Sequence, residues 1–251
     1  MLYEKNTHSA LAIFIVTCYN KNDMEQLLLL VARFAAVILI ITVHEFAHAF
    51  AAYKCGDPTA KFSGRMTLNP TKHFDLIGML AFALVGFGWA KPVPVNPNNF
   101  KKYRSGSFWT SAAGIIANYI MAFVFYPLLI LVVVYVLPLV EGKYAEVFLY
   151  WLFNALFIYS LSFCVFNLLP FYPLDGFRIV DALNRKRGKV YTFLRNYGYY
   201  ILLGLLLINI LADRLPILGY INVLGYIMQF AVDIIGKPIT LFWNWILGFI
   251  L

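Results

Sequence analysis

His44 and His48 stand four residues apart within an apolar stretch, and Glu45 lies between them. That spacing puts two side chains on one face of a helix, a turn apart, so both imidazoles can reach one zinc ion. The intervening glutamate can take a proton from water activated by such an ion, the division of labour of a metal-dependent hydrolase. The setting sharpens the reading. An ionisable group at mid-bilayer costs roughly 2.5–3.5 kcal/mol, so three of them together mark a functional site. The bland alternative is a polar cluster snorkelling to the headgroups.

The elements that must position this cluster are membrane helices. Hydrophobic residues make up 62% of the 251 and charged residues 13%, with a mean hydropathy of +0.75. Ordinary soluble domains lie outside that range. Cys18, Cys55 and Cys164 are far apart and contain no CxxC pair, which argues against a disulfide framework and against a thiolate zinc site. The formal charge of +8 is distributed by segment rather than gathered in one nucleic-acid-binding patch. Residues 91–107 carry Lys91, Lys101, Lys102 and Arg104 with no acid, whereas 1–26 and 141–146 are each net negative. Basic segments between apolar ones follow the positive-inside rule, so the charge is read as topology and as attraction to the lipid bilayer.

The reading is an all-α polytopic membrane protein. Residues 27–53, 108–137 and 147–169 are expected to span and to form a three-helix core. Residues 76–90 are too short to cross a hydrocarbon layer about 30 Å thick and are expected to be re-entrant, buried against protein. Residues 197–212 and 217–235 are further spans, and 239–251, with Trp243 and Trp245, is expected at the interface. Three units follow: an N-terminal interfacial segment, 1–26, holding the apolar run 10–18; a membrane-embedded core, 27–190; and C-terminal helices, 191–251. Arg33 falls near the histidine face and is read as snorkelling to the outer interface. The path places the N-terminus outside and the histidines towards the cytoplasmic half of the bilayer.

A catalytic zinc takes three protein ligands and keeps a position for water. Asp175 is the strongest candidate for the third, because Pro170 and Pro173 break the chain just before it. Broken helix ends are tolerated only beside protein or a wet cavity. On spacing alone, Asp175 is equally an N-cap for residues 176–187. Asn167 has two readings as well: a buried amide bonded to a neighbouring helix, or a donor to the scissile carbonyl as charge develops there.

His44-Glu45-x-x-His48 on a transmembrane helix, paired with Asn167-x-x-Pro170-x4-Asp175-Gly176 at the end of another, resembles the site-2 proteases, zinc enzymes that cut transmembrane substrates. Gly56-Asp57-Pro58-Thr59-Ala60-Lys61, Gly64-Arg65-Met66-Thr67-Leu68-Asn69-Pro70 and Gly86-Phe87-Gly88-Trp89-Ala90-Lys91-Pro92-Val93-Pro94-Val95-Asn96-Pro97 are similar to phrases of the compact prokaryotic members, the form without a PDZ or CBS domain. The likeness covers about residues 30–185. It implies the three-helix core, a re-entrant loop after the first helix, one catalytic Zn2+ on His44, His48 and Asp175, Glu45 as general base, and Asn167 as a substrate or oxyanion contact. It also implies a multi-pass protein of a prokaryotic cell membrane acting on transmembrane proteins, with no regulatory partner named by the sequence. One departure is Gly114-Ile115-Ile116-Ala117-Asn118, where the family often has Gly-Pro-x-x-Asn.

Two rival readings have less support in the residues. Another class of polytopic zinc protease takes a glutamate as third ligand, but the only later glutamates, Glu141 and Glu146, fall in the expected outer loop. A zinc-binding transporter or a catalytically silent scaffold would not need Glu45 between the two ligands.

Overall fold

The computed structural model describes residues 23–85, 88–212 and 215–249. Most of the expected N-terminal interfacial segment, and residues 213–214 between two of the expected spans, lie outside the described residues. Seven helices of more than one turn carry the described fold: α1 Asp23–Cys55, α2 Leu76–Val85, α3 Tyr103–Leu131, α4 Lys143–Leu168, α5 Asp175–Leu183, α6 Lys189–Ala212 and α7 Val223–Leu247. There are no strands among the described residues. Five of the helices are long and apolar enough to cross a membrane: α1, α3 with its extension to Leu139, α4, α6 and α7.

α1 begins with Asp23 and Glu25 in its first turn and ends with Lys54 in its last, charges that complement the helix dipole. Its buried residues include Ala32, Ala36, Ile40, His44, His48 and Ala52, stepping by four along one face. The alanines let α3 and α4 approach closely, as small residues do between membrane helices. Ala36 and Ile40 pack on Met121 of α3 and on Ala155 and Leu156 of α4. The same seam therefore carries both the packing and the two histidines.

After α1 the chain forms a polar loop pinned by Asp57, which is fully buried. Its carboxylate accepts hydrogen bonds from the backbone N–H of Thr59 and Asn96 and from Asn99 Nδ2, at 3.1, 2.7 and 2.8 Å. Burial alone would raise its pKa, but bonds from Thr59, Asn99 and Asn96 outweigh that and hold it below the usual carboxylate range. α2 then rises from this loop and the chain returns. Lys91 N–H donates to the His73 carbonyl at 2.9 Å, so both ends of the segment sit at one level. The turn itself, 86–87, lies outside the described residues. The returning segment is seated where Val93 packs with Ala49 and Ala60.

The C-terminal helices dock on the other side of α3 and α4. Leu202 and Leu206 of α6, and Leu224, Met228, Val232 and Ile239 of α7, bury against Ala122, Tyr126, Phe157, Leu161 and Val165. Pro127 stands inside α3 and has no N–H to offer the carbonyl of Phe123, four residues earlier. Trp243 Nε1 of α7 donates to that carbonyl at 2.8 Å. In lipid a freed backbone acceptor must find such a partner.

Three sequence expectations are corrected here. The expected span 217–235 and interfacial segment 239–251 are joined: α7 is one helix through Pro238. A proline removes one internal bond, and the fully buried Ile239 and the approach of Gly236 to Leu161 hold the helix on course. α6 starts at Lys189 rather than near 197, because Tyr191 is buried, stacks on Phe177 and donates to Asp181. Arg33 does not snorkel outward. It is 7% exposed, buried with the inward face of α1.

Candidate metal centre

Three elements bring the site together. α1 supplies His44 and His48, and the break after α4 swings Asp175 towards them from the first turn of α5. Pro170 and Pro173 end α4, and Gly176 allows the tight return: a Cβ there would meet the Leu168 and Leu169 carbonyls. Leu174 occupies the N-cap position of α5, with Asp175 as the first helical residue. Asp175 is therefore not the N-cap, and its side chain turns to the histidines.

His48 Nε2 lies 2.9 Å from His44 Nε2. Asp175 Oδ2 is 3.0 Å from His48 Nε2 and 3.3 Å from His44 Nε2. All three residues are buried. Zinc bonds of about 2.0–2.2 Å in tetrahedral array set ligand atoms about 3.3–3.6 Å apart; the trio's separations lie at or a little below that range, close enough for the three atoms to share one ion. Apart from the two imidazoles, Asp175 Oδ2 has no hydrogen-bond partner among the described residues. The trio is the group of three metal-ligating side chains that converge among the described residues.

The outer nitrogens of the two rings are anchored by α3. His48 Nδ1 lies 2.7 Å from the Thr110 carbonyl. A carbonyl only accepts, so His48 carries its proton on Nδ1 and presents a lone pair at Nε2. His44 Nδ1 lies 3.0 Å from the Asn118 amide. Between these two contacts sits Gly114, where a Cβ would come within 2.5 Å of both rings. Any side chain there would push α3 off the histidines.

Glu45 is buried, and its Oε2 accepts a hydrogen bond from the Val93 N–H at 2.8 Å. Asn167 is half-buried near the end of α4, and its Nδ2 donates to the Phe163 carbonyl of its own helix at 3.1 Å. Both residues, with the metal trio, line one cavity of about 720 Å³. Its wall is mostly apolar and extends along α1 to Phe34 and along α6 to Asn209.

The model of peptidase family M50 matches residues 32–209, a stretch that contains His44, Glu45, His48, Asn167 and Asp175. The chain belongs to peptidase family M50. Among curated proteins, the M50 chain is 41% identical over 171 residues to YwhC of Bacillus subtilis (strain 168), named there as a candidate zinc metalloprotease; the match covers 67% of this chain and 77% of YwhC. It is 27% identical over 187 residues to Rip2 of Mycolicibacterium smegmatis (strain ATCC 700084 / mc(2)155), which carries the same designation, covering 69% of this chain and 65% of Rip2. No solved structure gives a significant match. The protein is thus a multi-pass zinc metalloprotease of the M50 family, with bacterial relatives.

Sequence reasoning gave no role to several residues of this M50 site, although Gly114 and Asn118 stood in the phrase 114–118 and Val93 in the phrase 86–97. Thr110, Gly114 and Asn118 repeat at four-residue intervals, one face of a helix, and that spacing was the available signal. Val93 stands between Pro92 and Pro94, so it is the one backbone donor in that triplet. Nothing in the sequence says that this donor meets Glu45.

Proposed function

We propose that this protein is an intramembrane zinc endopeptidase that hydrolyses peptide bonds in or near the transmembrane segments of other membrane proteins. One observation carries the reading. Three ligand atoms of His44, His48 and Asp175 converge within 3.3 Å beside Glu45, in an apolar cavity between membrane helices. His44, His48 and Asp175 hold the zinc, Glu45 is the general base, and Asn167 contacts the substrate.

When bound, zinc supplies Lewis acidity: it polarises a carbonyl and acidifies water. Glu45 then accepts a proton from the attacking water. Because Oε2 is engaged by Val93, the free oxygen Oε1 is the one that takes it. Water oxygen bonds to the scissile carbon, the C–N bond breaks, and Glu45 returns the proton to the departing nitrogen. The Asn167 amide has two N–H groups, one spent on Phe163; the other is available to the carbonyl oxygen as charge develops. A substrate helix must unwind to be cut, since its carbonyls are hydrogen-bonded within the helix. The cavity volume suits a few extended residues better than a helix, and weak helix formers such as Gly and Asn near the cut would ease the change.

The segment 27–190 is proposed as the catalytic core, with 191–251 as the facing wall. The basic segments between the spans, including Lys101, Arg104 and Arg185, support a site towards the cytoplasmic half of a prokaryotic cell membrane. The test uses the full chain in proteoliposomes with a transmembrane reporter substrate. Glu45→Gln is expected to keep its zinc and lose cleavage, and His44→Ala to lose both. Unchanged cleavage by Glu45→Gln would rule the mechanism out, and full zinc retention by His44→Ala would rule out the site.

A further inference from the structure

Asn118 is fully buried in α3, 3.0 Å from His44 Nδ1 through its amide. Its other amide atom, Oδ1, is buried and has no hydrogen-bond partner among the described residues. We propose that Asn118 is the positioning residue of the metal centre, which accepts a hydrogen bond from His44 Nδ1–H and so fixes the ring with its Nε2 lone pair towards the ion. This deepens the proposed function and rests on the zinc-site reading given there.

The chemistry is set by His44. A neutral imidazole carries one proton, and a ring that gives Nε2 to a cation must keep that proton on Nδ1. The group facing Nδ1 must then accept. Rotating the amide by a half-turn exchanges Oδ1 and Nδ2, which are nearly equal in size, and brings the otherwise unpartnered oxygen to the 3.0 Å position. His48 provides the parallel from within the same site: its Nδ1 faces the Thr110 carbonyl, which can only accept. One helix face, Thr110 and Asn118 with Gly114 between them, thereby sets the same tautomer in both ligands. Outer partners of this kind orient metal-binding histidines, and their loss typically costs 10–100-fold in metal affinity.

The test is zinc affinity by competition with a chromophoric chelator, on full-length protein in detergent. Wild type, His44→Ala, Asn118→Leu, Asn118→Ala and Asn118→Asp are compared, together with the unfolding midpoint of each metal-stripped protein. Asn118→Leu and Asn118→Ala, once shown to be folded, are expected to bind zinc about 10- to 100-fold more weakly. Asn118→Asp keeps an acceptor in the same place and is expected to bind at least as tightly as wild type. A merely structural asparagine would show no such rescue. Wild-type affinity in folded Asn118→Ala overturns the proposal, as does an Asn118→Asp that binds as poorly as Asn118→Ala. If Asn118→Asp does not fold, the folded Asn118→Ala decides alone. A wild type that binds no more tightly than His44→Ala would instead sink the zinc-site reading itself.

Discussion

Glu45 follows His44 directly in the chain, yet what aims its carboxylate comes from outside α1. Val93 N–H, between two prolines that offer no donor of their own, holds Oε2 at 2.8 Å. Misplacing a catalytic group by about 1 Å can cost 10²-fold in rate. Val93→Pro removes this donor with little change in bulk and is expected to lower kcat by about 10- to 100-fold while zinc content stays at the wild-type level. Val93→Ala keeps the N–H and is expected to retain most of the rate. Equal kcat in Val93→Pro and wild type would show that the bond does not position the base.

At the scale of the helix, the pairing of α3 with α7 follows from one missing donor. Pro127 frees the Phe123 carbonyl and Trp243 satisfies it. Trp243→Phe leaves that acceptor buried without a partner, a loss of about 1–3 kcal/mol, readable in a denaturant titration in micelles. Pro127→Ala restores an internal N–H for the same carbonyl. The cost of Trp243→Phe should therefore be smaller in the Pro127→Ala background, with a coupling of about 1 kcal/mol. The same cost in both backgrounds would mean that only the bulk of the indole matters. Tyr126 Oη, which donates to Asn244 at 2.7 Å, ties the same two helices a second time and is untouched by this pair of changes.

For the molecule as a whole, the metal centre is the knot between the first and last parts of the core. His44 and His48 belong to α1, Asp175 comes from α5 beyond the end of α4, and α3 packs across the back of the rings. An ion bound to the folded state alone stabilises it, by about 2.7 kcal/mol when free zinc is 100 times Kd. Stripping zinc with a chelator is thus expected to lower the Tm of wild type by several degrees and to leave His48→Ala unmoved. An equal chelator response in both would place the stabilising ion elsewhere. The cavity beside the knot is bounded on its far side by α6, through residues such as Tyr199, Leu203 and Asn209. The C-terminal helices therefore help to shape the space a substrate would occupy.

The fold class, the spans α1, α3 and α4, and the His44–Glu45–His48 grouping were legible in the sequence because each rests on a local property: hydropathy over a window, or a spacing that a helix turns into a shared face. The proline break before Asp175 was legible for the same reason, but whether Asp175 capped a helix or faced the histidines was not. Local patterns also misread α7, whose helix passes through Pro238, and Arg33, which is buried instead of reaching the interface. Tertiary structure decided which donor meets which acceptor: Val93 with Glu45, Thr110 with His48, Asn118 with His44, Trp243 with Phe123. Those pairings depend on where helices far apart in the chain cross one another, and the spacing of residues along one segment carries no record of that.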